Sequence, residues 1–332
     1  MDSLKMQCFG GGSEMALNQR KVAMVGCGSA GAASCFALMQ SGLFTEMVLI
    51  DAYPEKAEGE AMDIAQGLTF TKPMKIYAGT YEDLADAAVV IVTAAGTQRR
   101  DDTRLDLVKK NVAIFKNIIP EIAKRNEEGI MLIVANPVDI LTYAALKISG
   151  WAENRIMGIG TVLDTARLRY LLSEKLNVDA RNVHAYMVGE QGNGEVTIWS
   201  SASVSGIPIR EFCEMRGYPD PTEYFEAVAK EVRTSADMIT RKKKAAYYGI
   251  AMGVRRVCEA IVRDEKSVLP VSSLMYGAFD IDGLALSMPA IVGKDGVECL
   301  VPLEMSEEEL DELRKTAATV KAIVDDVFGE AR

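Results

Sequence analysis

At about 150 residues per domain, the 332-residue chain, 49% hydrophobic, is long enough for roughly two domains around a sizeable core, which excludes disorder as its main state. With 37 basic against 47 acidic side chains and a net charge of −10, it lacks the basic surface that neutralises nucleic-acid phosphates. Its cysteines (Cys8, Cys27, Cys35, Cys213, Cys258, Cys299) are scattered without a CxxC pair and stand beside a single histidine, so a reduced, cytoplasmic setting is expected and neither a disulfide framework nor a zinc site is.

Residues 1–20 have neither a basic stretch nor a continuous apolar run and read as a tail, not a signal peptide. Gly10, Gly11, Gly12 and Ser13 leave open a flexible linker, an appended sequence or an arm that packs on a neighbouring subunit. The span 22–45 has no charged residue and is long enough to cross a bilayer. Gly26, Gly28, Ser29 and Gly31 break it into a short strand, a turn and a small-residue helix, so no membrane contact is expected. Apolar runs then recur at 22–26, 47–51, 88–92 and 130–135, with helix-length segments at 31–40, 103–126 and 138–149 among them. This is the rhythm of a parallel sheet covered by helices, predicted over 21–158. From 159 to 332 the rhythm changes to a second, mixed α/β domain. It holds a helix over 164–176, strands at 182–188 and 195–199, long helices through 222–264, strands near 267–291 and a charged helix from Ser306.

The first strand runs into Gly26, Gly28 and Gly31, a GxGxxG turn at a helix start, where bare backbone N–H groups and the helix dipole hold a pyrophosphate. Asp51 follows about twenty residues on, at the end of the next apolar run, where a carboxylate accepts from ribose hydroxyls and repels a 2′-phosphate. NAD is therefore expected in preference to NADP.

Several longer segments carry a resemblance: AEGEAMDIAQG at 57–67, DTRLDLVKKNVAIFK at 102–116, ANPVDILT at 135–142, GTVLDTARLRYLLSEKL at 160–176 and KAAYYGIAMGVRRV at 244–257. In these the chain resembles the NAD-dependent L-lactate and malate dehydrogenases, on the bacterial L-lactate dehydrogenase side, from about 21 to 326. The resemblance implies a doubly wound Rossmann sheet with an α/β substrate domain, NAD as cofactor, a small carboxylate substrate and self-association as a dimer or tetramer.

Carried over by position, it implies that Arg167 pairs with the substrate carboxylate, a role that suits a guanidinium fork. Arg104 matches the loop arginine that polarises the reacting carbonyl, and Asn136 the asparagine that hydrogen-bonds the same oxygen. Gln98 matches the residue that separates lactate from malate dehydrogenases and points to a monocarboxylate. Its neighbours Arg99 and Arg100 either lend a charge to a second carboxylate or form a solvated pair balanced by Asp101 and Asp102. Where the family has its catalytic histidine, this chain has Gln191, while Asp164, the residue that orients that histidine, is retained. An amide donates a hydrogen bond but exchanges no proton at neutral pH, and losing general acid–base help costs about a hundredfold to ten-thousandfold.

The lone His184 lies an odd separation before Gln191, which in an extended segment faces it the other way. The resemblance places His184 and Arg169 either in an anion effector site between subunits or at a plain interface. Ala246 replaces a pocket threonine and implies a roomier, less polar site. Glu195 shares strand parity with Gln191 and reads as a surface or subunit-contact carboxylate. Three functions follow as expectations. The first is an oxidoreductase of 2-oxo or 2-hydroxy acids with altered acid–base chemistry, including the version in which a 2-imino acid is reduced to a 2-amino acid. The second is a catalytically silent NAD- and carboxylate-binding homologue, and the third a slow lactate dehydrogenase.

Overall fold

The computed structural model describes residues 17–96, 103–192, 194–218 and 220–329. The sequence readings that fall on 1–16 and on Gln98, Arg99 and Arg100 lie outside these residues. The first half runs β1 (Asn18–Val25), α1 (Ser29–Ser41), β2 (Glu46–Ile50), α2 (Pro54–Gln66), β3 (Lys75–Ala78), β4 (Ala87–Val92), α3 (Arg104–Ala123), β5 (Ile130–Ile133), α4 (Val138–Ser149) and β6 (Ile156–Gly158). The second continues α5 (Val162–Leu176), β7 (Val183–Glu190), β8 (Gly194–Val204), β9 (Ile207–Pro208), α6 (Ile209–Met215), α7 (Thr222–Lys243), α8 (Tyr248–Val262), β10 (Ser267–Tyr276), β11 (Asp282–Gly293), β12 (Gly296–Leu300) and α9 (Glu307–Phe328).

The strands order β3-β2-β1-β4-β5-β6-β10-β11-β7-β8-β9, with β12 on β11. The first six are parallel in the order of a dinucleotide-binding sheet, so the expected Rossmann-type sheet with a mixed α/β partner is the fold. All residues of β4 and β5 are buried, as expected of strands covered on both faces. The first strand starts at Asn18, inside the stretch read as tail, because the Asn18 N–H donates to the Asp86 carbonyl (2.8 Å) and joins β1 to β4.

The sheet passes from one half to the other where Gly158 of β6 pairs with Ser272 of β10. Only glycine fits at that crossing. A Cβ on residue 158 would stand 2.3 Å from Thr142 Oγ1 and 2.9 Å from Ser272 Cβ. Two further backbone bonds straddle it, Ile159 N–H to the Ile133 carbonyl (2.8 Å) and Thr161 N–H to the Pro270 carbonyl (3.1 Å).

The final helix begins with a capping box: Ser306 Oγ accepts the Glu309 N–H, and the Glu309 carboxylate accepts the Ser306 N–H. Its other oxygen accepts the Trp199 and Ser200 N–H groups of β8. Buried Leu313, Ala317, Val320 and Val324 form its inner stripe, and the helix packs on β7, β8 and β11, bracing the β7–β8 hairpin that ends at the site. Among the described residues no helix is long and apolar enough to cross a membrane.

Candidate active site

The cleft is built by two turns. At the first, β1 is followed by Gly26, whose φ of +104° suits glycine. A Cβ on Gly31 would lie 2.1 Å from the Gly26 carbonyl oxygen and 2.8 Å from Thr93 Oγ1, and that hydroxyl donates to the same carbonyl at 2.6 Å. Turn, helix α1 and the end of β4 are thus packed backbone to backbone. Gly28 caps α1 without a side-chain hydrogen bond, and a Cβ there would meet nothing within 4 Å. The first N–H groups of the helix consequently face an open approach fit for a phosphate. Asp51 is oriented by the Cys27 N–H (2.7 Å) and the Tyr53 N–H (3.0 Å), which leaves its carboxylate lone pairs for hydroxyl donors.

Ala30, next to that turn, also lines a cavity of about 140 Å³ together with Asn136, Asp164, Arg167, Gln191 and Ala246. Residues distant in sequence and singled out for chemistry therefore share one cleft. Asp164 and Arg167 stand one turn apart on α5, and Arg167 Nη1 donates to Asp164 Oδ1 at 2.5 Å. Burial lifts the Asp164 carboxyl above its ordinary range, against the opposing charge of Arg167. Asn136, after β5, accepts at its carbonyl from Asn111 Nδ2 (2.7 Å), while Asn111 Oδ1 accepts the Gly96 N–H (2.8 Å). Arg104 opens α3 behind its Thr103 cap, and its guanidinium pairs with the buried Glu190 carboxylate at the end of β7. It stands beside the cavity instead of lining it.

The second turn carries Gln191 and Gly192 between β7 and β8, and carboxyl groups hold it. Asp139 of α4 accepts the Gln191 N–H (2.7 Å) on one oxygen and the Ser287 hydroxyl (2.7 Å) on the other. Its burial pushes its pKa up to about 6. Glu195 accepts the Gly192 N–H at 2.7 Å through Oε1, whereas Oε2 is buried without a partner. Burial first, then the nearby Asp164 charge, push the Glu195 pKa up to about 8.

Glu195 corrects the sequence reading. It is only 2% exposed and so is no surface carboxylate: it pairs with Gly189 across the hairpin and is enclosed by the monomer itself. Asp139 is the residue that sequence reasoning missed, although an acid inside the apolar run VDILTYAAL was a visible signal of a buried partner. His184 stands exposed on β7 opposite Ser203. Arg169 stacks on Tyr186 at 5.0 Å and donates to the Ala185 carbonyl at 3.1 Å. Among the described residues no cluster of three or more His, Cys, Asp and Glu side chains is arranged to hold a metal ion.

Residues 20–158 match the lactate/malate dehydrogenase NAD-binding domain, and residues 161–331 the α/β C-terminal domain of the same family. The chain belongs to the lactate/malate dehydrogenase family. It is 47% identical over 305 residues to an L-lactate dehydrogenase of Acetivibrio thermocellus, covering 92% of this chain and 96% of that one. Against an L-lactate dehydrogenase of Thermoanaerobacter sp. the identity is 43% over 307 residues, with 92% and 99% covered. Solved structures are similar too, two of them as follows. One is a lactate dehydrogenase from a Medee basin deep-sea metagenome library, with TM-score 0.91, 40% identity and 94% and 99% of the chains covered. The other is the ligand-bound minor L-lactate dehydrogenase of Enterococcus mundtii, with TM-score 0.90, 39% identity and 93% and 98% covered. NAD is the cofactor of this chain, as its match to the family's NAD-binding domain shows, and the glycine turn and Asp51 fit it. This family member is an NAD-dependent oxidoreductase of lactate dehydrogenase-like type.

Proposed function

We propose that this oxidoreductase acts on a 2-oxo or 2-hydroxy acid, or on the related 2-imino and 2-amino acid, with altered acid–base chemistry, and that the C=N compound is its better substrate. The observation that carries this is the make-up of the cleft wall. The Gln191 amide faces the cavity where the resemblance places an imidazole, and the buried Asp164 carboxylate has a guanidinium and an amide as neighbours but no imidazolium.

NAD, when bound, supplies the hydride chemistry, and Gly26, Gly28, Gly31 and Asp51 are the residues that would hold it. Arg167 keeps guanidinium N–H groups beyond the one given to Asp164 and anchors the acid group of the substrate. Asn136 and Gln191 hydrogen-bond the reacting oxygen or nitrogen. Reduction of a ketone leaves an oxygen that needs a proton, which an amide cannot give. A protonated imine becomes a neutral amine on gaining hydride, so that step draws no proton from the protein. Before it, the cationic nitrogen is stabilised by the Asp164 carboxylate, whose usual partner is gone. Arg104, held by Glu190, has the charge to reach toward the same substrate atom from the flank of the cavity.

Self-association as a dimer or tetramer belongs to the same reading, supported by exposed Phe36 on α1 and exposed Tyr248 and Met252 on the adjoining α8. A cytoplasmic location fits the free cysteines among the described residues, Cys27, Cys35, Cys213 and Cys258 buried and Cys299 exposed.

The test is NADH oxidation with pyruvate alone, with pyruvate plus primary amines, and with cyclic imino acids. Acceleration by amines or turnover of imino acids is expected. Fast reduction of pyruvate on which amines have no effect would overturn the imine assignment, and tight NADH binding without turnover of any of them would leave a silent binding protein.

A further inference from the structure

Glu195, beneath the turn that carries Gln191, has no task in the mechanism above. A carboxyl group enclosed within the monomer is costly unless both oxygens are satisfied. Here one oxygen is clamped on the Gly192 N–H and the other has no partner. The charged groups around it are few. Asp164 and Arg167 face it from α5 and Arg233 from α7, and the Arg233 guanidinium reaches the Glu195 carbonyl at 3.5 Å. The nearby α9 side chains at the hairpin, Leu313 and Thr316, are uncharged. Glu190 is already paired with Arg104, and Asp139 is turned to the Gln191 N–H and Ser287. The half-buried Arg167 guanidinium is therefore hydrogen-bonded by the Asp164 carboxyl and interacts electrostatically with that of Glu195.

We infer that Glu195 is a specificity-determining residue that sets the charge of the substrate cleft: protonated, it leaves Arg167 free to hold an anionic acid, and ionised, it repels that acid and favours a cationic partner. The inference rests on the reading of Arg167 as the carboxylate anchor. It does not depend on whether the ketone or the imine is turned over. The free Oε2 is where the proton sits, and the buried surroundings together with the Asp164 charge keep it there up to a pH of about 8. A second negative charge close enough to interact with the Arg167 guanidinium opposes an incoming anion by an amount that corresponds to about tenfold in affinity at protein-like dielectric.

The experiment is calorimetric titration of pyruvate into the protein loaded with the oxidised cofactor NAD, which has no hydride to transfer to it, from pH 6.5 to 9, for the wild type and for Glu195→Gln, which retains the acceptor for the Gly192 N–H but cannot ionise. Pyruvate keeps its single charge over this range, and Asp139, with its pKa near 6, is largely ionised from pH 7 upward. The wild type is expected to lose affinity about tenfold between pH 7 and 9, and Glu195→Gln to lose none. A flat wild-type profile overturns the inference whether or not the variant folds, and so do equal slopes in both proteins. Absence of pyruvate binding by either protein at any pH removes the Arg167 anchor and the inference with it, a result distinct from binding that ignores pH.

Discussion

The turn at Gly26–Gly31 and the turn at Gln191–Gly192 face the same cleft, and both follow a strand, yet they are made by opposite means. At the first, side chains are removed until helix, strand and turn touch through their backbones, so the ligand meets N–H groups. At the second, carboxyl groups from α4 and β8 are buried against the backbone, and a third from α5 faces the turn. One turn is specified by what it lacks and tolerates no addition at Gly26 or Gly31. The other is specified by charge, and its properties change with proton concentration. A dinucleotide is common to many reactions, whereas the reacting group is particular to one. The contrast matches that division of labour.

The comparison breaks most severely at the anchor. Arg167→Gln is expected to lower kcat/KM for carboxylate substrates by about a thousandfold, the scale of removing one partner of a buried charged hydrogen bond, with NADH binding retained in fluorescence titration. Next comes the pH dependence of stability. The folded-state pKa values of Asp139 and Glu195 are raised to about 6 and about 8. Their contribution is fully present below the ordinary carboxyl range of about 4 and is lost as pH rises through those values. Urea denaturation should therefore show stability falling between pH 5 and 8. Glu195→Gln should recover about 3 kcal/mol of the loss at the upper end, whereas a variant at the glycine turn should leave the slope unchanged.

Gln191→His sharpens the chemical side, with an expected gain of about a hundredfold in pyruvate reduction by initial-rate assay. No gain would mean that the pocket around Ala246 has changed along with the acid. At the other turn, Gly31→Ala should cost about 2 kcal/mol in denaturant midpoint analysis and weaken NADH binding, because its Cβ meets a carbonyl oxygen. Smallest is Ser287→Ala, which removes the hydroxyl hydrogen bond to Asp139, costs about 1 kcal/mol and moves that group's titration further upward.

Much of the first turn was legible because its determinants are contiguous. The apolar runs at 22–26, 47–51, 88–92 and 130–135 became β1, β2, β4 and β5, and the helices expected over 103–126 and 138–149 became α3 and α4. Strands β3, β6 and β12 contain no apolar run long enough to stand out, and β6 exists because its neighbours supply the pairing. The second turn was legible only in part. Strand parity put Glu195 on the same side as Gln191. Whether that side faces water depends on how α5 and α9 pack on the hairpin, which strand parity does not reveal. Asp139 shows the converse case: its signal was local, an acid among apolar neighbours, but its partner Ser287 lies in β11, at the other end of the chain.

The glycine seam at Gly158 has a consequence for access. Because strand pairing and the bonds from Ile159 and Thr161 stitch the halves together on either side of it, they cannot swing apart like a clamshell without breaking main-chain hydrogen bonds. The floor of the cleft is a fixed mould. Selectivity for bulk then falls to what projects from its walls, and the short side chain at 246 leaves room on one of them.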